Sequence, residues 1–402
     1  MITPREIAPE HEQRLIAHLE AREQAYIERL RKLVDQNSGI DNPTGRLACL
    51  AMLEQSYKLL GFACERIAKP GDMVHLVARR PALGKTAAQA PKILILGHFD
   101  TVYDADTTFL SFTREGEYLR GPGVGDMKGG LVVAQATLEA INSVGRLGEF
   151  DWLCVHNADE EVQSPTSREL IEQLAVDRDF CLDFEIGRKT GAVVRSRAGV
   201  GRYFISVHGK AAHAGMDHSA GVNAIVGMAK IVEKLASLGD SKRGTTLNVG
   251  TIHGGTKRNI VPDLCKIEVD VRVLTTAEGA RIDSEVRKIC SETPVAGARV
   301  DVLGGIGRPP WQRNEACEAL IFHFQHIAHA FGIVLGAEDT GGGSDANFTA
   351  ALGIPTIDGL GPVGEGPHTF EERILTHSII ERAKLVALAV LTWTRPGPVE
   401  LN

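Results

Sequence analysis

Surplus basic charge is missing from this chain: 44 Lys and Arg stand against 51 Asp and Glu, a formal net charge of −7. Without a cationic stripe to meet phosphates, nucleic acid is not an expected partner. Paired cysteines are missing too. Seven cysteines lie scattered at 49, 64, 154, 181, 265, 290 and 317, with no CxxC among them. An odd count at such spacings excludes a disulfide framework and fits a reducing compartment. No window approaches the ~18 apolar residues that a membrane span needs, and the first twenty residues hold no continuous apolar run of the signal-peptide kind. The expectation is a cytoplasmic protein with no membrane partner. What is present is ordinary globular material, 43% hydrophobic and 24% charged. At 402 residues the chain exceeds what one core usually holds, so two domains are expected.

Periodicity along the chain predicts α/β architecture. Residues 10–36 repeat Leu, Ile and Tyr at three- and four-residue spacing, and 46–61 do the same up to Gly61, a left-handed helix stop. "HLVARR" and "KILILGHFD" read as buried strands, "LVVAQATLEAINSVG" as a helix and "FDWLCVHNADEE" as a further strand. Strands alternating with helices imply a mostly parallel central sheet flanked by helices. From about Gly199 the pattern shifts to half-exposed alternation: "GRYFISVHGK", a helix at 223–239, strands "TTLNVGTIHGG" and "LCKIEVDVRVL", a helix at 277–292, then "ARVDVLGGIG". That order, β-α-β-β-α-β, is the ferredoxin-like α+β arrangement. The α/β style resumes after "GRPPWQRN". The reading is a discontinuous domain, 1–194 with 312–402, interrupted by an insert at 195–311. No internal repeat or low-complexity tract interrupts it.

In open α/β sheets, sites form where strands end at their carboxyl edge. Here those ends carry His98 and Asp100 in "ILILGHFD", Glu160 and Glu161 in "CVHNADEE", and Glu185 in "FCLDFEIG"; Asp126 lies in the Gly-rich "GPGVGDMKGG" and His368 in the loop "GEGPHTF". Each is unremarkable alone, since a histidine after a strand or an Asp in a glycine loop is usually structural. The conjunction carries the signal. Imidazoles with several carboxylates and no thiolate form a donor set for zinc, and also for cobalt or manganese. Five ligands exceed what one tetrahedral ion with an open position can use, so they suit two ions sharing a carboxylate.

The motifs "GHFDTV", "GPGVGDMKGG", "NADEEV", "FEIG", "GKAAHAG", "NIVPD", "DVRV" and "TGGGSDA…GPH", in this order, resemble the dinuclear zinc aminoacylase and carboxypeptidase family. It includes bacterial glutamate carboxypeptidase, succinyl-diaminopimelate desuccinylase and acetylornithine deacetylase. "HFDTVY", with Tyr103 where many relatives have Pro, together with "RPPWQRN", follows the glutamate carboxypeptidase branch. The resemblance implies two Zn²⁺ per subunit, with Asp126 bridging, His98 and Glu185 on one ion, and Glu161 and His368 on the other. Asp100 would orient His98 by accepting its second ring N–H. A cis peptide after the bridging residue, here Asp126-Met127, is also implied.

Adjacent residues on an extended segment point to opposite sides, so Glu160 and Glu161 need not share a task. The resemblance makes Glu161 a ligand and Glu160 the base that takes the proton of the attacking water and returns it to the leaving amine. The insert would be a dimerisation domain, with His213 reaching into the partner's site of a homodimer to stabilise the oxyanion. Arg272 would hold the substrate's terminal carboxylate, Asn259, on or beside the insert strands, would also bind substrate, and Gly342 and Gly343 would line the cleft with backbone N–H groups. The expected function is a dinuclear metal-dependent exopeptidase that releases a C-terminal amino acid, glutamate or aspartate being the candidates, from an N-acyl or peptidyl small-molecule substrate. A deacylase or aromatic aminohydrolase is the alternative within the superfamily. A binding protein on the same scaffold is a third, opposed by a proton acceptor that mere binding does not require.

Overall fold

The computed structural model describes residues 6–84, 87–292 and 294–394. Two helices open the chain, α1 (Pro9–Ala21) and α2 (Glu23–Val34), followed by α3 (Pro43–Leu59). The apolar stripe of 10–36 therefore belongs to two helices, broken at Arg22. Both halves of the stripe are buried, through Leu15 and Leu19, then Tyr26, Leu30 and Leu33. Periodicity alone does not reveal such a break, because the stripe continues in phase across it. Gly61 takes the expected left-handed conformation, φ +78°.

A hairpin, β1 (Ala63–Lys69) and β2 (Met73–Arg80), leads into β3 (Lys92–His98), helix α4 (Gly130–Ser143), β4 (Asp151–Asn157), α5 (Arg168–Ala175) and β5 (Phe180–Asp183). β3 and β4 are buried on both faces after their first residue, which explains their unbroken apolar runs. After the insert come α8 (Glu315–Ala330), a short strand (Thr356–Ile357) and α10 (Ser378–Thr392); α6, α7 and α9 are the intervening helices Ala224–Ala236, Thr276–Ser291 and Ala346–Ala351. The sheet order is β1-β2-β4-β3-β5, closed by Thr356–Ile357. Pairings β4-β3, β3-β5 and β5 with Thr356–Ile357 are parallel; β1-β2 and β2-β4 are antiparallel. The sheet is thus parallel at its centre and mixed at one edge, where a hairpin replaces a crossover helix. Helix α4, buried along almost its whole length, packs on α10 and forms the middle of the core.

The chain divides into two compact units, one of 196–312 with 340–343 and the other comprising the remainder. Taken by itself, the smaller unit holds β6 (Gly199–His208), α6, β7 (Thr246–Gly254), β8 (Leu264–Val273), α7 and β9 (Arg299–Arg308), in sheet order β7-β8-β6-β9 and antiparallel throughout. This is the split β-α-β topology, with its own core around Tyr203, Ile205, Met228, Val269 and Ile282. The segment 340–343 returns to this unit, so the run holding Gly342 and Gly343 groups with the insert. Among the described residues, no helix is long and apolar enough to cross a membrane.

Candidate metal centre

Three neighbouring strands deliver their ends to one edge of the sheet. His98 closes β3, Glu185 follows β5 by two residues, and Glu161 sits in the turn after β4. Asp126 enters from the irregular turn Val124–Gly129 ahead of α4. Gly130 permits that approach: a Cβ there would lie 1.7 Å from the Phe184 carbonyl oxygen. His368 comes from the tip of a hairpin paired Gly364↔Ile374 and Glu365↔Arg373, with φ +64°.

These five side chains form one connected cluster. His98 Nε2 lies 3.1 Å from Asp126 Oδ1 and 3.6 Å from Glu185 Oε1. His368 Nε2 lies 3.2 Å from Asp126 Oδ2 and 3.2 Å from Glu161 Oε2. Asp126 thus turns one oxygen to each imidazole, the disposition a shared carboxylate needs. Ligands about 2.0–2.1 Å from a tetrahedral zinc stand roughly 3.3 Å apart, and the spacings here bracket that value. Atoms of His98, Asp126 and Glu161 all fall within 4.8 Å of one another. Glu161 Oε1 is buried with no hydrogen-bond partner among the described residues. Donor type, spacing and that orphaned oxygen all fit divalent cations.

The electrostatics agree. Burial pushes the Glu161 carboxyl up to about 8, with the Asp126 charge as the next cause. Glu185 is raised well above the carboxylate range for the same two reasons. Burial also acts upward on Asp126, but hydrogen bonds from His368 and His98 outweigh it and hold this carboxyl low. His368 is pushed up to about 11 by its bonds to Asp126 and Glu161. Protons shared among crowded carboxylates and imidazoles occupy the role that a dication fills better.

Around the ligands lies a second layer. His98 Nδ1 is 3.1 Å from the Asp100 carbonyl and 3.4 Å from its Oδ1. Asp100 Oδ2 also accepts the Glu161 backbone N–H at 3.0 Å, so one carboxylate orients a residue on each side of the cluster. The Asp126-Met127 peptide is cis, and Met127 Sδ accepts the His98 N–H at 3.1 Å. Glu372, absent from the sequence reading, is fully buried and accepts backbone N–H groups from Gly123, Gly125 and Asp126 at 3.1, 2.8 and 2.9 Å. Tyr103 Oη lies 2.7 Å from both Glu372 Oε2 and the Thr369 carbonyl. Burial pushes Glu372 up to about 7, with Asp126 next, against those hydrogen bonds. Only a pair of acidic residues, Glu371 and Glu372, close behind a candidate ligand signalled it.

Glu160 is buried, 8% exposed. The segment Glu160–Val162 is a 3₁₀ turn, which corrects the extended geometry expected for it. At three residues per turn, neighbouring side chains diverge by about 120° instead of pointing to opposite sides. The opposite-sides argument for separating their tasks therefore does not apply, because the strand stops at Asn157, before the pair.

The remaining candidates belong to the smaller unit. His213 is exposed, and its Nδ1 accepts the N–H groups of Gly215 and Met216 at 3.2 Å each. The neutral ring therefore carries its proton on Nε2. The Asn259 carbonyl accepts from Ala214 N at 3.0 Å, tying that residue to the His213 loop. Arg272 is paired with Asp270, Nε to Oδ1 at 2.9 Å and Nη2 to Oδ2 at 3.0 Å. Gly342 N–H points to Thr340 Oγ1 at 3.3 Å, and its carbonyl accepts from Arg197.

In sequence and fold this chain is similar to known metallopeptidases and a desuccinylase. Residues 195–298 match the peptidase dimerisation domain family. Carboxypeptidase G2 of a Pseudomonas species is 29% identical over 371 residues, 91% of this chain and 88% of that protein. Succinyl-diaminopimelate desuccinylase of Delftia acidovorans is 25% identical over 353 residues, 82% of this chain and 89% of that protein. In fold, the chain is similar to an M20 family metallo-carboxypeptidase from Sulfolobus solfataricus, with a TM-score of 0.76 at 16% identity, covering 91% of this chain and 98% of that one.

Proposed function

We infer that this chain is an M20-type peptidase, a hydrolase of amide or peptide bonds, and from that premise we propose a dinuclear exopeptidase that releases a C-terminal amino acid from an N-acyl or peptidyl substrate. The carrying observation is Asp126, whose two oxygens face different imidazoles at 3.1 and 3.2 Å. In this reading His98, Glu185 and Asp126 hold one cation, and Asp126, Glu161 and His368 the other, zinc being the first choice and cobalt or manganese substitutes. Cations held there would lower the pKa of water and stabilise charge developing on the scissile carbonyl. Glu160 takes the proton from the attacking water and delivers it to the leaving nitrogen. Asp100 keeps His98 in the tautomer that offers Nε2 to the metal. His213, its Nε2–H free of the backbone donors that occupy Nδ1, donates to the oxyanion from the partner subunit of a homodimer.

Arg272 is the proposed anchor for the substrate's carboxylate, with Asn259 and the glycines at 342 and 343 lining the substrate. Asp270 uses two of the five guanidinium hydrogens, leaving the Nη1 edge for a second carboxylate. That same pairing favours the alternative, a deacylase or aminohydrolase whose substrate brings no such anion. A hydrolysis screen of metal-loaded protein separates them. Exopeptidase activity requires turnover of N-acyl or peptidyl substrates with a free carboxylate and its loss on amidation of that group. Equal rates on both forms would transfer the assignment to the deacylase. Metal analysis after purification without chelator is expected to approach two equivalents per chain, and one tight equivalent with full activity would overturn the dinuclear centre.

A further inference from the structure

We propose that Glu372, with Tyr103, is a positioning residue for the metal centre: it holds the loop of Asp126 in place and ties it to the loop of His368. The inference rests on the metal-binding reading above and extends it to a residue outside the ligand set.

The turn that carries Asp126 offers its backbone N–H groups inward instead of pairing them in a helix or strand. Three of them, from Gly123, Gly125 and Asp126, converge on the one carboxyl of Glu372. Oε1 receives Gly125 and Asp126, while Oε2 receives Gly123. A buried N–H without a partner is costly, so this turn is held in its observed shape only while Glu372 stays beneath it. The second connection runs the other way. Oε2 is 2.7 Å from Tyr103 Oη, which is also 2.7 Å from the carbonyl of Thr369, the residue after His368. Glu372 itself lies four residues beyond His368 on the same hairpin. One buried carboxyl therefore holds the backbone of the shared carboxylate, and one phenol, whose single hydrogen serves either Oε2 or the Thr369 carbonyl, sits between that carboxyl and the backbone beside a terminal imidazole. His368 has an exposed side chain, 56%, on a hairpin tip, and needs such a tie to keep its Nε2 within 3.2 Å of both Asp126 and Glu161. Residues that orient ligands typically change metal affinity about 10–100-fold when removed.

Glu372→Gln and Tyr103→Phe divide the device. The Gln amide retains one acceptor oxygen, enough for Gly125 and Asp126, but places an NH₂ against the Gly123 N–H. Tyr103→Phe leaves all three backbone bonds and cuts the link to Thr369. Zinc affinity is read by competition with a chromophoric chelator, together with thermal midpoints of the metal-free and zinc-saturated forms. Glu372→Gln is expected to bind zinc roughly 10–100-fold more weakly at both equivalents, because both share Asp126. Tyr103→Phe is expected to weaken one equivalent only. For each variant the gain in midpoint on adding zinc shrinks relative to the parent's, over and above any fall in the metal-free midpoint from the lost hydrogen bonds. If both variants hold zinc within threefold of the parent, the proposal is overturned. It is also overturned if the midpoint falls equally with and without zinc, since Glu372 is then merely structural. A parent chain that binds no zinc would instead refute the underlying metal reading.

Discussion

Glu160 and Glu161 are neighbours in sequence; Glu160 is 8% exposed as a whole residue, and the Glu161 side chain is 6% exposed. Glu161 Oε2 stands 3.2 Å from His368 Nε2, and in the proposed reading Glu161 is the ligand while Glu160 is the base. Glu160→Gln is therefore expected to cost on the order of 10²–10⁴ in kcat while metal content stays normal; a variant that keeps most of its activity would show the base to be misassigned. The protons that crowd the metal-free cluster supply a second expectation. With Glu161 up at about 8 and His368 up at about 11, the metal-free site holds protons at neutral pH that a dication displaces. Zinc uptake between about pH 6 and 8 should release protons, and apparent affinity should rise with pH. Calorimetry in buffers of different ionisation enthalpy measures this, and a heat independent of buffer would contradict it. At this scale the sequence was legible wherever a chemistry-bearing side chain ended a strand: His98, Glu185 and the acidic pair follow unbroken apolar runs. Glu372 was not legible, because it acts through backbone N–H groups and resembles the exposed Glu371 beside it.

Elements position those residues by how closely they pack. Helix α4 begins against the carbonyl of Phe184, and Gly130 is the residue that lets it. Its backbone is ordinary helix, φ −63°, so Gly130→Ala would gain about 1 kcal/mol in helix propensity. The added Cβ would meet a backbone carbonyl at 1.7 Å, which no rotamer change relieves. Overpacking of this kind costs about 1–3 kcal/mol or more, so the clash wins and the urea midpoint of the variant should fall. Because Phe184 precedes Glu185 and α4 follows Asp126, zinc affinity should fall with it. An unchanged midpoint would show that the helix start yields freely. Buried strands were legible from their apolar runs, and the antiparallel alternation of the insert from its period of two. Strand β1 was not: its pattern of exposed and half-buried residues reflects an edge position, where few side chains meet a core. The break at Arg22 escaped for the opposite reason, since the apolar stripe on either side of it continues.

At the scale of the whole molecule, the proposed site draws its base from the larger unit and its oxyanion donor from the smaller unit of another chain. Gly215 and Met216 occupy Nδ1 of the exposed His213, which leaves Nε2 to serve a target outside its own loop. His213→Ala is expected to lower kcat by roughly 10²–10³, the usual loss for one such donor. Mixing tests where the donor acts. In a heterodimer of His213→Ala with Glu160→Gln subunits, a donor acting across the interface leaves one site with neither group and the other with both, Glu160 from one chain and His213 from its partner. Two nearly inactive preparations should regain activity on mixing, approaching one active site in each mixed dimer once subunits have exchanged. If native mass spectrometry shows mixed dimers and no activity returns, His213 serves its own chain, and dimerisation contributes stability without completing the site.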